Sequence, residues 1–166
     1  AVFAAPPRVD GLGFDDTNTS PEVAVNWNVN DDVSVFAAYK EGFKSGGFDT
    51  SALPTASLNE GNPDFPDFLI FDSEEAEGYE FGVKSNLLEG AMRLNATIYS
   101  YDYNDLQVQV FNSAAIQYTT FNASSLNTQG LEADMLWLTN VEGLQVRANF
   151  AYTDTQYDDD FFNADG

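Results

Sequence analysis

The stretch of sequence that decides the fold runs from residue 92 to residue 101 and reads Met92-Arg93-Leu94-Asn95-Ala96-Thr97-Ile98-Tyr99-Ser100-Tyr101. From Met92 to Ile98, an apolar side chain falls at every second position, and polar side chains occupy the positions between. Successive side chains of a β-strand point to opposite faces of its sheet. This period of two therefore predicts a strand with one apolar and one polar face.

The same period of two recurs along most of the chain. It predicts antiparallel strands at about residues 22–29, 33–45, 76–86, 91–111, 116–138 and 144–157. Short turns follow Val29, Asn86 and Leu138, whereas residues 46–75 form a long connection rich in Gly, Pro and Asp. We expect an all-β meander of about six long strands, with a bend near residues 102–105.

Three features favour the wall of a transmembrane β-barrel over a soluble sheet. Soluble strands average ~5–6 residues, and a tilted strand of ~9–11 residues crosses a bilayer; several predicted strands reach that length. Short turns on one side and long connections on the other are typical of outer-membrane barrels. The basic residues of the strands all fall on the polar parity, away from lipid: Lys40, Lys44, Lys84, Arg93 and Arg147. Glu41 is an acidic exception, near a strand end.

Composition excludes several classes of protein. The chain has 27 Asp and Glu against 6 Lys and Arg, a formal charge of −21, which argues against nucleic-acid binding. Such acidity fits a solvated surface, divalent-cation binding or capture of a cationic or metal-containing cargo. The absence of Cys and His removes thiol nucleophiles, histidine acid–base catalysis and the usual Zn or haem ligands. We expect no enzyme activity, no cofactor and no catalytic residue.

Two acidic segments contain the oxygen ligands that Ca²⁺ prefers. They are Asp72-Ser73-Glu74-Glu75 and Asp158-Asp159-Asp160. Neither has the spacing of an EF-hand loop, so we interpret both as solvated acidic segments and predict no metal site.

Aromatic residues supply the candidates for ligand contact. Tyr99, Tyr101 and Tyr103 share the polar parity near one end of a predicted strand. They are candidates to contact a ligand, and an aromatic girdle at the membrane interface or a simple lining of the lumen is the alternative. Phe65 and Phe68, in the long connection, are the other candidates.

Three stretches resemble the barrel domain of TonB-dependent outer-membrane receptors. Residues 39–48 resemble a strand end that runs into a Gly-rich external loop. Residues 74–109 contain a Tyr-Glu-Xaa-Gly-Xaa-Lys pattern before a hairpin and close with Tyr101-Asp102-Tyr103-Asn104-Asp105-Leu106. Residues 127–134 are similar to the family's Gly-aliphatic-Glu strand. The order and spacing of the three stretches carry the resemblance.

The resemblance implies a barrel of about 22 strands, of which residues 1–166 would be a partial barrel domain without the plug domain and the C-terminal strands. It also implies a bacterial outer-membrane location and active uptake of a scarce ligand, such as an iron chelate (siderophore), cobalamin or glycan. The implied partners are outer-membrane lipid, an unknown small-molecule ligand and the TonB energy-coupling complex, the last through regions outside this chain.

Two alternatives remain open from the residues alone. A small self-contained outer-membrane barrel, acting as a passive pore or structural protein, would need further strands within residues 112–126 and a closing C-terminal strand. A soluble acidic β-domain that binds a cation or glycan would show the same alternation without needing a membrane.

Overall fold

The computed structural model describes residues 13–49, 69–113 and 117–157. Within these residues the protein consists of ten β-strands: β1 Glu22–Asn28, β2 Val33–Lys44, β3 Gly47–Phe48, β4 Ile70–Phe71, β5 Glu74–Leu87, β6 Met92–Asn104, β7 Gln107–Asn112, β8 Gln117–Asn122, β9 Leu126–Leu138 and β10 Gln145–Tyr157. No helix in this part of the chain is long and apolar enough to cross a membrane.

Six of these strands form one antiparallel sheet in the order β1-β2-β5-β6-β9-β10. The other four form two small sheets, β3–β4 and β7–β8, which lie within the connections between β2 and β5 and between β6 and β9. The main sheet is therefore a meander, which confirms the predicted all-β architecture of about six long strands. In the described part of the chain it is an open wall, because β1 and β10 are its edges and do not pair with each other.

The register of the sheet keeps the two faces separate across all six strands. On one face Phe81 lies opposite Ile98, Ile98 opposite Leu131, and Leu131 opposite Tyr152. One position along, a polar row runs through Glu80, Tyr99, Gly130 and Thr153. Sliding one strand by one residue against its neighbour would exchange its two faces. The amphipathic pattern therefore excludes every register that differs from this one by an odd number of residues.

Both ends of the sheet can be distinguished by their connections. The turns between β1 and β2, β5 and β6, and β9 and β10 are short and lie together at one end, named here the short-turn end. Asn30 closes the first turn with its side-chain oxygen, which accepts hydrogen bonds from the backbone N–H groups of Asp32 and Val33. The second turn places Leu88, Glu89 and Gly90 at positive φ. The opposite end, named here the outer end, carries the longer connections, which run from β2 to β5 and from β6 to β9.

The long strand expected at residues 91–111 is divided in the structure. β6 pairs with β9 as far as Tyr103, after which Asp105 takes a φ of 54° and the chain leaves the main sheet as β7. The strand expected at 116–138 divides in the same way into β8 and β9. Asp tolerates the left-handed region better than most residues, and the alternation continues beyond it, so the sequence pattern did not reveal the break. The expectation also missed β3 and β4, and β5 begins within the predicted long connection.

Almost no apolar residue of the main sheet is buried. Ala38 is the one buried apolar side chain found within its strands, and Gly78 is also buried there. The other buried residues of the described part, Leu69 and Asp49, lie at the outer end. Large apolar side chains of the sheet are exposed, such as Trp27 at 65% and Phe81 at 53%. A soluble protein of this size buries its apolar face in a core. Within the described residues, no layer of protein covers the apolar face of the wall.

Candidate functional site

The candidate site is the polar face of the six-stranded wall, together with the small sheets at its outer end. The register places these charged and hydroxyl-bearing residues on that face: Lys40, Glu80, Lys84, Arg93, Thr97, Tyr99, Tyr101, Glu132, Asp134, Arg147 and Thr153. The opposite, apolar face carries Val25, Trp27, Val35, Ala37, Phe81, Val83, Ala96, Ile98, Leu131, Ala133, Phe150 and Tyr152. All basic residues of the strands lie on the polar face, as the sequence predicted.

The apolar face ends toward the outer side in a row of aromatic and acidic side chains. Tyr39 and Tyr79 lie opposite each other with ring centroids 5.0 Å apart. The Tyr39 hydroxyl lies 2.5 Å from Glu41 Oε1 and 2.9 Å from Glu77 Oε2. Because Glu41 and Glu77 are also direct cross-strand partners, carboxylates follow the tyrosines by one row. Glu41, the acidic residue that the sequence places on the apolar parity, therefore belongs to a row of carboxylates at the end of the apolar face.

Tyr101 is held by a hydrogen-bonded network at the outer half of the polar face. Its hydroxyl donates to Glu80 Oε1, the same oxygen that accepts from Lys40 Nζ at 2.9 Å. Gly78 lies directly between Lys40 and Tyr101 in the sheet. Both side chains reach Glu80 from neighbouring strands, and the Tyr101 ring covers the space where a residue other than glycine would place its Cβ.

Tyr99 reaches across a neighbouring strand in the same manner. Its ring lies over Gly130, its direct partner on β9, where an added Cβ would be 2.5 Å from the Tyr99 hydroxyl oxygen. That hydroxyl forms a 2.8 Å hydrogen bond with Thr153 Oγ1 on β10. One side chain thus spans three strands. The Tyr99 and Tyr101 ring centroids are 6.1 Å apart, so the two residues form a continuous aromatic lining.

Tyr103 is the outermost of the three predicted tyrosines and differs from the other two. It is half-buried, opposite Ala76 on β5 and Leu126 on β9. Within the described part of the chain, its hydroxyl forms no hydrogen bond and its ring makes no aromatic contact. Of the five sequence candidates, Tyr99, Tyr101 and Tyr103 lie together on one face, and Phe65 and Phe68 lie outside the described residues.

The two small sheets at the outer end are tied together by side-chain hydrogen bonds to the backbone. Asn122 Nδ2 donates to the carbonyl oxygens of Asp72 and Asp105 at 2.9 and 2.7 Å, and Asn122 Oδ1 accepts from the Asp72 N–H at 2.6 Å. Asp49 Oδ2 accepts from the Thr120 N–H at 2.6 Å. We name these strands, β3, β4, β7 and β8, the outer extension. It lies beyond the point where the chain leaves the main sheet at Asp105.

Sequence reasoning missed the glycines and the amide residues that position this site. Gly78, Gly82 and Gly130 all lie within strands on the polar parity, and each is covered by an aromatic side chain from the next strand. A glycine inside a strand often marks a close approach by another group, and that signal was available. For Gln107 and Asn122, whose amides bind carbonyl groups distant in sequence, the sequence carried no such signal.

The acidic side chains of Glu74 and Glu75 accept hydrogen bonds, and Glu74 also forms an ion pair. Glu74 Oε2 accepts from the Gln107 N–H at 2.9 Å and lies 3.6 Å from Lys44 Nζ. The described part of the chain contains no group of three or more acidic side chains arranged to hold a metal ion. Residues 158–160, the second acidic segment, lie outside the described residues.

Comparison with known proteins identifies the family. The family model described as "TonB dependent receptor-like, beta-barrel" matches residues 3–166. A comparison with curated protein sequences gave no significant match.

Several solved structures share the fold of this wall. The ferric yersiniabactin uptake receptor FyuA from Yersinia pestis superposes with a TM-score of 0.63 at 20% identity, covering 84% of this chain and 18% of that one. The FrpB iron transporter from Neisseria meningitidis gives a TM-score of 0.59 at 18% identity, covering 84% and 20%. The alcaligin outer membrane receptor FauA from Bordetella pertussis gives 0.54 at 16% identity, covering 83% and 22%.

This chain therefore spans about a fifth of the length of the structures that it matches. At these identities the superpositions establish a shared fold. The family match, by contrast, extends over nearly the whole sequence. The chain belongs to the TonB-dependent receptor-like β-barrel family.

Proposed function

We propose that this chain forms part of the barrel wall of a bacterial outer-membrane receptor that takes up a scarce ligand by active transport. TonB-dependent receptors are transporters rather than enzymes, and the structural relatives are named as receptors or transporters, several of them for iron-chelating compounds. The ligand classes that we propose are an iron chelate first, with cobalamin or a glycan as further members of the same transport class.

The observation that carries this proposal is the separation of the two faces of the wall. The apolar face, with Phe81 at 53% and Phe150 at 57% exposure, would contact outer-membrane lipid. The polar face would line the lumen. A charge on the lipid side at mid-bilayer costs ~2–4 kcal/mol, and a charge on the lumen side costs little. Lys40, Lys84 and Arg93 all lie on the polar face, where a charge costs little.

Tyr103 is the leading ligand-contact residue in this proposal. It lies near the outer end of β6, its hydroxyl forms no hydrogen bond within the described residues, and the residue is half-buried. Tyr99 and Tyr101 would line the path with their rings, because their hydroxyl groups are already bound to Thr153 and Glu80. Phe65 and Phe68 remain proposed contacts. Energy coupling would pass through TonB and regions outside this chain.

The test is an uptake experiment with the full-length protein. It would be produced in a bacterial strain that lacks its own receptors for ferric chelates, and uptake of ⁵⁵Fe from a panel of chelates, of labelled cobalamin and of labelled oligosaccharides would be measured. Uptake of one ligand class that disappears when tonB is deleted supports the proposal. Equal passage with and without TonB would indicate a passive pore instead and contradict it.

A further inference from the structure

Residues 13–20, which precede β1, lie across the junction between the main sheet and the outer extension. We name these residues the strap. Their exposure alternates: Phe14 and Asp16 are half-buried, whereas Asp15 and Thr17 are exposed. In an extended chain successive side chains point to opposite sides, so the strap presents one side, with Phe14 and Asp16, to the rest of the protein.

The strap is held at Ser45 and Gly46, where the chain passes from β2 into β3. Asp16 Oδ2 accepts hydrogen bonds from the Ser45 hydroxyl and the Gly46 N–H, both at 3.3 Å. The Phe14 ring lies so close to Gly46 that an added Cβ would be 2.6 Å from Phe14 Cζ. The same ring meets that of Phe48 edge to face, at a centroid distance of 6.1 Å. One ring and one carboxylate of the strap therefore clamp the first link to the outer extension.

The link that the strap covers consists of Gly46 and Gly47. Glycine adopts more backbone conformations than any other residue, so two glycines in succession between β2 and β3 can serve as a pivot. A Cβ at Gly46 would also lie 2.5 Å from the carbonyl oxygen of Phe71, so the strap and β4 enclose this glycine from two sides. A rotation of the backbone at Gly46 therefore requires the Phe14 ring to move away.

The strap is held less firmly than the other contacts of the same link. Gln107 Nε2, on β7, donates to the carbonyl oxygens of Ser45 and Asp72 at 3.0 Å each. Asp16 lies 3.3 Å from both of its donors, which is longer than the usual range of such bonds. No residue of the strap is buried, and a segment with few buried contacts opens at a low free energy. The strap is thus the contact that opens first.

We propose that the strap is a latch for the outer extension. In the closed state Phe14 and Asp16 hold Gly46, and β3 and β4 are fixed at the outer end of the wall. In the open state the strap lifts, and β3 and β4 pivot about Gly46 and Gly47 while the six-stranded wall stays unchanged. This latch uses contacts within the chain alone, so it operates whatever ligand the receptor carries.

Two measurements on the full-length protein in detergent test the latch. A nitroxide attached at Thr17→Cys, an exposed position of the strap, reports the mobile and immobile fractions of the strap by electron paramagnetic resonance. Amide hydrogen exchange reports opening at the Gly46 N–H and at the Asp49 N–H, which donates to the Leu69 carbonyl oxygen at 2.7 Å.

Phe14→Ala and Asp16→Ala should each increase the mobile fraction of the label and speed exchange of the Gly46 and Asp49 N–H groups several-fold. Exchange in β5 and β6 should stay unchanged, because the wall keeps its own ladder of hydrogen bonds. Asp15→Ala is the matched control. It removes the same charge from an exposed neighbouring position and should change neither measurement.

Three outcomes would overturn the proposal. A label whose mobility is the same with and without the two substitutions would show that Phe14 and Asp16 do not hold the strap. Release of the strap without faster exchange at Gly46 and Asp49 would show that the strap does not restrain the pivot. Faster exchange spread over β5 and β6 would show that the strap contributes to the stability of the whole wall and is not a local latch.

Discussion

The ring of Tyr101 on β6 lies directly over Gly78 on β5, where an added Cβ would come within 2.2 Å of Tyr101 Cδ1 and 2.5 Å of the Ser100 carbonyl oxygen. This close approach allows Tyr101 and Lys40, the two direct neighbours of Gly78, to meet at Glu80. Gly78, which directly precedes the Tyr-Glu-Xaa-Gly-Xaa-Lys pattern, is therefore explained by packing across strands, and so is Gly130 beneath Tyr99.

Replacing Gly78 by alanine should destabilise the wall. The new methyl group would meet the backbone oxygen of Ser100, which cannot move away, as well as the ring of Tyr101. Overpacking of this kind costs about 1–3 kcal/mol. The free energy of unfolding of the full-length protein in lipid, measured in urea, gives the effect. Gly42→Ala is the matched control, since its Cβ would lie 3.9 Å from that of Ala76, an ordinary contact; equal losses for the two variants would contradict the packing explanation.

Glu80 and Lys40 should show a measurable coupling. Their ion pair is partly screened by water, because the side chains are 22% and 36% exposed. A double-mutant cycle of Lys40→Met and Glu80→Gln should therefore give a coupling of about 0.2–1 kcal/mol. The single variant Glu80→Gln should be the more destabilising of the two, since it also weakens the bond from Tyr101. A coupling of zero would show that the pair contributes nothing beyond its separate contacts.

Two adjacent positions test which face meets lipid. Ala96→Arg places a charge on the apolar face and should cost ~2–4 kcal/mol of folding free energy in a bilayer. Thr97→Arg places the same charge on the polar face, opposite Gly82 and Glu132, and should cost far less. Folding of the full-length protein into lipid vesicles, titrated with denaturant, measures both. The assignment of the faces fails if Thr97→Arg is the more damaging substitution.

The tyrosines of the polar face should separate into ligand-contacting and structural residues. Tyr103→Ala should weaken ligand binding about tenfold, equivalent to ~1.4 kcal/mol, with little change in stability. Tyr99→Phe should remove the 2.8 Å bond to Thr153 and lower stability by about 1 kcal/mol while leaving binding unchanged. Ligand titration and urea unfolding of the same full-length preparations distinguish the two. If both variants bind as the wild type does, Tyr103 is part of the lining alone.

Asn122 should control the order of the outer extension without affecting the barrel. Asn122→Ala removes the side-chain hydrogen bonds to Asp72 and Asp105, so amide hydrogen exchange in β7 and β8 should become faster. The main sheet should keep its protection, because it does not use these bonds. Gln109→Ala, which loses a single 3.3 Å contact to Thr120, is the control and should change exchange little. Faster exchange spread evenly over β5 and β6 would contradict a local role.

Much of the wall follows from the sequence alone. The period of two around Met92–Ile98 is a local property of the chain, since it depends only on successive side chains pointing to opposite faces. The positions of Lys84, Arg93 and Arg147 on the polar parity, and the short turns at one end, could be read in the same way. These local signals were sufficient to predict the six strands of the main sheet, their two faces and the family resemblance.

The partners of each side chain depended on tertiary structure. A register shift of two residues leaves every side chain on its own face but changes all of its neighbours, so alternation could not place Tyr101 over Gly78 or Lys40 beside Glu80. Nor could it show that the chain leaves the main sheet at Asp105, because the alternation continues past that turn. The sequence by itself determined the six strands of the main sheet and which face each of their residues occupies. Only the tertiary structure decided the neighbours, since contacts between strands distant in sequence are set by their pairing.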